Sequence, residues 1–304
     1  AFDRELLSPG GQIATALVAC AKLGLRSKYI GTIGDDSRGE IQRQSLEGTG
    51  VDISSVIVRE RCPNQTAYII IDTSTGERTV LWQRDECLRL RPSELRAADI
   101  ASARLLHLDG CDTEAAAYAA SIARKHGIPV SVDVDTLYPG FESVLRNVDY
   151  LVASSSWPTR WTGDPDAFSA LARLQREYNF AAAVMTLGER GCVALQNGTW
   201  TYSGAFQVTT ADTTGAGDVF HGAFCYAMLT GMAMRDALDF SNAAAALNCT
   251  AIGARGHIPT RSEIDALITA AARGNAHRRC SPEIHDRLGE RLRSQAVEAS
   301  GSSS

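Results

Sequence analysis

Asp212-Thr213-Thr214-Gly215-Ala216-Gly217-Asp218 runs straight into Val219-Phe220-His221-Gly222-Ala223-Phe224, the opening of an apolar, alanine-rich helix. A turn of Gly-Ala-Gly leaves its backbone N–H groups unshielded by side chains. The helix behind it adds free donors and the positive end of its dipole, roughly half a charge. Together they form an anion site, suited to the charge that builds on a phosphoryl group in transfer. Asp218 stands at the mouth of this turn, placed to accept a proton from an attacking hydroxyl. Phosphoryl transfer asks little more of a protein than in-line positioning, charge stabilisation and a base. A lone Gly-x-Gly before a helix is most often only a tight turn. Seven residues of this composition, between a strand-like Phe206-Gln207-Val208 and a long helix, are far more specific.

The rest of the chain narrows the classes. At 304 residues it holds one large or two small domains with a proper core. A net charge of −5 and no basic run beyond short arginine pairs exclude nucleic acid as a partner class. No apolar stretch reaches the roughly 18 residues of a membrane span. The opening Ala1-Phe2-Asp3-Arg4-Glu5 is charged and short, unlike a secretory leader. The eight cysteines are scattered with no Cys-x-x-Cys pair, which points to reduced, buried thiols and a cytoplasmic protein.

Along the chain, Gly10-Gly11-Gln12 leads into an apolar helix that Gly24 closes, and a short strand Lys28–Gly31 follows. Gln65–Ile71 and Arg78–Trp82 are β-rich and joined by Ser74-Thr75-Gly76-Glu77, a hairpin within residues 62–86. From 90 to 200 strands and helices alternate. Strands fall near 105–108, 129–133, 150–152 and 182–186, with helices near 113–126 and 166–178. Such alternation specifies an α/β fold with a parallel sheet, helices on both faces and ligands at the C-terminal strand ends. His107, Asp109, Asp133 and Asp135 lie at such ends. Arg273 to Ser304 is charged and ends in Gly-Ser-Ser-Ser, which predicts a frayed helix and a disordered tail over 274–304. Residues 1–273 then form a single domain.

The Asp212–Asp218 run resembles the C-terminal motif of the ribokinase-like (PfkB) carbohydrate kinases, Asp-Thr-x-Gly-Ala-Gly-Asp. The family's first signature is answered in order by Gly10, Gly11, Leu23, Gly24, Gly31, Gly34, Asp36 and Gly39. The resemblance covers residues 8 to about 268. It implies a three-layer α/β/α sandwich with a mostly parallel central sheet and a small β lid at 62–86. It also implies ATP-dependent phosphorylation of a sugar hydroxyl with Mg²⁺, Asp218 as base and Gly215, Ala216 and Gly217 as phosphoryl donors. Thr186, Gly188, Glu189, Gly191 and Asn242 fall on the nucleotide positions, Asn242 beside the adenine. Gly10, Gly11 and Gln12 fall on the sugar side. Asp212, Thr214, Asn248, Ala251, Gly253 and His257 match a monovalent-cation (K⁺) loop, and a homodimer through the lid is implied as well.

Departures from the family bear mainly on substrate. Gln12 and Thr15 stand where relatives often have Asn facing the sugar, and Ser154-Ser155-Ser156-Trp157-Pro158 replaces the family's Asn-x-x-Glu motif. Magnesium then leans on nucleotide phosphates and water. Relatives also begin with a buried strand and a substrate-binding aspartate ahead of the Gly-Gly pair. Without them, exposed apolar faces and unpaired backbone are expected. The run through Gly253-Ala254-Arg255-Gly256-His257-Ile258-Pro259 is most similar to ketose-directed members, which favours a fructose-type acceptor. Ribokinase and nucleoside kinases share the fold and remain alternatives. A third expectation, from another class, is a truncated, non-catalytic nucleotide- or sugar-binding protein.

Overall fold

The structure, a computed structural model, describes residues 6–71 and 78–289. The chain begins with α1 (Gln12–Lys22), β1 (Lys28–Gly34), α2 (Ser37–Gly48) and β2 (Asp52–Arg59). An antiparallel hairpin follows, β3 (Thr66–Ile71) with β4 (Arg78–Gln83); the expected turn at 74–77 lies outside the described residues. Then come α3 (Ala97–Ala101), β5 (Leu106–Leu108), α4 (Thr113–Lys125), β6 (Val130–Val134), α5 (Glu142–Leu145) and β7 (Tyr150–Ser154). Next are α6 (Trp157–Thr162), α7 (Ala167–Tyr178), β8 (Ala182–Thr186), β9 (Cys192–Gln196), β10 (Thr199–Ser203) and β11 (Ala205–Phe206). The chain continues through α8 (Ala216–Leu229), α9 (Met234–Asn248), α10 (Arg261–Ala272) and β12 (Arg278–Arg279).

The main sheet has six strands in the order β10-β9-β8-β7-β6-β5, parallel from β5 to β8 and antiparallel at β9 and β10. Side-chain alternation divides its two faces. Leu151 and Ala153 of β7, Ala183 and Met185 of β8, and Val193 and Leu195 of β9 pack with α4, α5, α6 and α7. Their neighbours Val152, Ala182, Val184 and Ala194 pack on α8 and α9. The three layers expected from the alternation are thus present. β1 and β2 form a separate parallel pair. Among the described residues nothing pairs β1 with β5, and both strands line one cleft of about 2030 Å³.

α1 joins the α8 side through a backbone contact. A Cβ on Gly222 would lie 2.4 Å from the Ala16 carbonyl and 2.8 Å from the Ala19 Cβ, so only glycine admits this crossing. The Cys20 thiol donates to the Gly222 carbonyl at 3.3 Å and secures it.

Three expectations are corrected. β2, absent from the sequence reading, is a full strand beside β1. Cys62 and Cys87 form a disulfide, because antiparallel pairing of β3 and β4 brings the two stems of the hairpin together. Of the six free thiols, Cys20, Cys192 and Cys225 are buried, but Cys280 is exposed. Residues 278–289 also pack on the body instead of fraying. β12 pairs with β11, the Arg278 guanidinium lies 4.6 Å over the Phe206 ring, and the helical residues 282–289 bury Ile284 and Leu288 in the core. Those two side chains are four positions apart, one apolar stripe on a charged helix. Residues 290–304 lie outside the described residues.

The tightness of the α1–α8 crossing gives a direct test. Gly222→Ala should lower stability by about 1–3 kcal/mol, as overpacking against backbone does, read from urea denaturation at unchanged m-value.

Candidate active site

The crossing at Gly222 sets two helix N-termini side by side. Gly11 caps α1 at φ 92°, Gly215 caps α8 at φ 78°, and Gly10, Gly11, Gln12 and Asp218 all line the large cleft. Both caps need the left-handed backbone that glycine adopts without penalty. The proposed base and the sugar-side loop thus open onto one space.

The anion turn is anchored from beneath. Asp212 is buried; its Oδ1 accepts from the Thr214 N–H at 2.9 Å and the Thr214 hydroxyl at 2.7 Å, while its Oδ2 accepts from the Gly253 N–H at 2.9 Å. A Cβ on Gly215 would sit 2.3 Å from the Ala254 carbonyl, so the Gly253–Gly256 loop packs directly under the turn. The Ala216 N–H already leans on the Thr213 carbonyl at 3.3 Å, a long bond that an incoming anion would have to share. Of the cation-loop candidates, Asp212, Thr214, Asn248 and Gly253 are knit together, with Asn248 donating to the Thr214 carbonyl at 3.0 Å. Asn248 Oδ1 is buried and, among the described residues, has no hydrogen-bond partner, an oxygen that suits a cation. Ala251 and His257 belong to this loop through their backbone carbonyls, while the His257 ring itself bonds Thr250 at 2.9 Å and Glu263 at 3.1 Å.

Strand parity places a polar row beneath α8. On β5 and β6, Leu106, Leu108, Val130, Val132 and Val134 take the other face, which leaves His107, Ser131 and Asp133 toward α8. His221, one turn beyond Asp218, puts Nε2 3.1 Å from Asp133 Oδ1, and Gln12 donates to Asp133 Oδ2 at 3.4 Å. The His107 and His221 rings are 5.4 Å apart. Burial works to raise the Asp133 carboxyl, but the charge and hydrogen bond of His221, with His107 behind it, outweigh burial and hold it below its ordinary value. Asp109 goes the other way, pushed up to about 6, chiefly by burial and then by its acidic neighbours Asp133 and Asp112, against the Cys111 N–H. Of the four strand-end residues singled out in the sequence, Asp109 and Asp135 line the cleft beside His107, while Asp133 supports Gln12 from below.

The nucleotide candidates form a second group, on the loop after β8. Thr186 ends that strand with its hydroxyl 3.4 Å from the Ala153 carbonyl, and residues 188–190 make one tight turn with Gly188 at φ 59°. A Cβ on Gly191, at φ 91°, would collide with the Ser203 carbonyl at 2.0 Å. Glu189 is ion-paired with Arg279. Asn242 is buried, and its amide donates to the Ser203 carbonyl at 3.0 Å and hydroxyl at 2.7 Å. Its side-chain N–H groups therefore brace the exit of β10 instead of standing open to a base.

The hairpin gives the cleft one apolar side: Ala67, Ile69, Val80 and Trp82 line it. Arg84, at the hairpin stem, forks onto Asp112 at the start of α4 with bonds of 3.1 and 2.7 Å. Neither this pair nor Arg255, which bonds the Gly10 carbonyl at 2.7 Å, was selected from sequence. No local pattern marks them, since each partner lies on a distant segment.

The polar row makes acid stability testable. Burial, and then the charge of His221, lowers the His107 imidazole from 6.5 to about 3. Between those values the unfolded chain binds the extra proton, so stability rises with pH. Asp109, raised from 3.8 to about 6, acts oppositely, its native proton favouring the fold at the acid end of that window. His107→Phe should remove the first slope. The melting temperature of the wild type should then fall more steeply from pH 6.5 to 4 than that of the variant, measured by circular dichroism.

Comparison with known proteins agrees with this geometry. The profile of the pfkB family carbohydrate kinases matches residues 4–261. An ATP-dependent ribose-1-phosphate kinase of Halopiger xanaduensis is 30% identical over 270 residues, 86% of this chain and 87% of that protein. A fructokinase of Solanum tuberosum is 28% identical over 283 residues, 88% of each. The crystal structure of an Agrobacterium tumefaciens protein assigned as a ribokinase superposes with a TM-score of 0.82 at 31% identity, covering 88% of this chain and 89% of that one. By that profile, these relatives and the shared three-layer sandwich, the chain belongs to the PfkB family of carbohydrate kinases.

Proposed function

We propose that the protein transfers the γ-phosphoryl group of Mg-ATP to a hydroxyl of a small sugar, with a fructose-type ketose as favoured acceptor. One observation carries this: the N-terminus of α8, with Asp218 in its first turn, opens onto the cleft that also holds Gly10, Gly11 and Gln12. Asp218 takes the proton of the acceptor hydroxyl. The N–H groups of Gly215, Ala216 and Gly217 receive the charge that develops on the phosphoryl oxygens, and Gly10, Gly11 and Gln12 orient the acceptor. The apolar hairpin face excludes water, which would otherwise compete as acceptor. Thr186, Gly188, Glu189 and Gly191 fit the nucleotide. Asn248 Oδ1, with Asp212, Thr214 and Gly253 around it, fits K⁺ behind the turn. Mg²⁺, bound through nucleotide phosphates, would supply charge neutralisation at the transferring group.

Ribose and nucleosides are the other acceptors to weigh, with ribose phosphates beside them because of the Halopiger xanaduensis relative's stated activity. ADP release with Mg-ATP and K⁺ should be measured across fructose, fructose phosphates, sulfofructose, ribose, ribose 1-phosphate, ketodeoxygluconate and adenosine. Turnover is expected with one of these and should fall roughly 10²–10⁴-fold in Asp218→Asn. An undiminished rate in that variant would remove Asp218 as the base. No turnover with any sugar, ATP still binding, would make the chain a non-catalytic binding protein.

A homodimer through the hairpin goes with this function. The face turned away from the cleft carries Tyr68 and Leu81, cross-strand partners that are 59% and 56% exposed. Such apolar exposure marks an interaction surface. Leu81→Glu should shift the sedimentation coefficient from dimer to monomer. A wild type that sediments as a monomer at micromolar concentration would remove the dimer.

A further inference from the structure

Arg255 is a partly buried cation beside the site. Its hydrogen bonds go to neutral oxygens on three distant segments. Nε donates to the Thr15 hydroxyl of α1 at 3.2 Å, Nη1 to the Ser45 hydroxyl of α2 at 2.7 Å, and Nη2 to the Gly10 carbonyl at 2.7 Å. Nη2 also lies 3.5 Å from Gln42 Oε1, and the Gln42 amide donates to the same Gly10 carbonyl at 3.0 Å. The residue before it, Ala254, has its carbonyl pressed against Gly215, and Gly253 is tied to Asp212. One short loop therefore touches the anion turn with its backbone and the sugar-side loop with its side chain.

Burial of a guanidinium is costly, and a packed apolar residue of similar volume would hold these segments more cheaply. Burial draws the guanidinium down to about 10, still cationic at neutral pH, with Tyr29 and then Asp218 acting against burial.

We propose that Arg255 is a positioning residue for phosphoryl transfer, fastening the Gly10–Gly11 loop to the anion turn. The proposal rests on the sugar-kinase function above. It assigns the sugar side of the site to a side chain from the far end of the chain. The fork is already occupied by protein oxygens, so Arg255 acts through Gly10 and Thr15 without touching the acceptor. Lysine cannot replace it fully, because an ammonium is a point charge that does not span three acceptors in one plane.

Arg255→Met and Arg255→Lys would be compared with wild type in three measurements: binding of a fluorescent ATP analogue, steady-state kinetics with the acceptor found above, and hydrogen–deuterium exchange over residues 8–17. Both variants should bind the nucleotide within about twofold of wild type. The sugar KM should rise about tenfold and kcat fall about 10²-fold in Arg255→Met, with Arg255→Lys between it and wild type. Exchange of the amides at residues 10–16 should quicken about tenfold. Wild-type-like sugar KM and kcat in Arg255→Met would overturn the proposal. So would equal losses for nucleotide and sugar, the signature of a merely structural arginine. If Arg255→Met does not fold, Arg255→Lys carries the same comparison. If wild type phosphorylates no sugar, the kinase function fails by itself, and unchanged exchange at residues 10–16 would separately remove Arg255 from the loop.

Discussion

The approach of Gly222 to the Ala16 carbonyl is the contact on which the site depends. Helix axes usually lie 8–10 Å apart, set by the side chains between them; here one helix presents no side chain at the contact. The two N-termini are brought together in consequence, each with its dipole and unsatisfied N–H groups. Two positive helix ends placed together repel unless negative charge joins them. That is the demand a phosphoryl group and an ionised Asp218 would meet. Beneath the turn, Asp212, Gly253 and Ala254 hold the α8 terminus from the opposite side.

The sheet contributes through parity. Because β5 and β6 point Leu106, Leu108, Val130, Val132 and Val134 one way, they send His107, Ser131 and Asp133 the other, under α8. A row of polar groups thus occupies what is, on β7, β8 and β9, an apolar face. Nδ1 of His221 lacks a hydrogen-bond partner among the described residues. Unsatisfied groups of this kind cost stability and are tolerated where a site, not a core, is being built. Asp133 turns the arrangement to use, since one carboxylate meets His221 of α8 and Gln12 of α1 together.

Much of this was legible in the sequence because its signals are local. The Gly215 turn, the Gly11 cap, the α/β alternation and the hairpin each depend on a few adjacent residues, and each has its structural counterpart. What was not legible depends on distance. Cys62 meets Cys87 only once β3 and β4 pair, and Arg255 gains its partners only when α1 and α2 are in place. The stretch 278–289 misled because its charge outweighed Ile284 and Leu288, which pack into the core beside the β11–β12 pairing. The brace that Asn242 gives Ser203 was hidden in the same way, since the two lie 39 residues apart.

The hairpin has a consequence for how such a chain can change over time. Its inner face, Ala67, Ile69, Val80 and Trp82, meets the cleft, and its outer face holds Tyr68 and Leu81. Adjacent residues of a strand point to opposite faces, so inserting or deleting one residue within β3 would exchange the two surfaces beyond that point. The cleft wall would then be presented outward and the outward face would turn onto the substrate. Length changes in these strands are therefore restricted to even numbers, or must be absorbed by a bulge, while the loop joining them carries no such arithmetic.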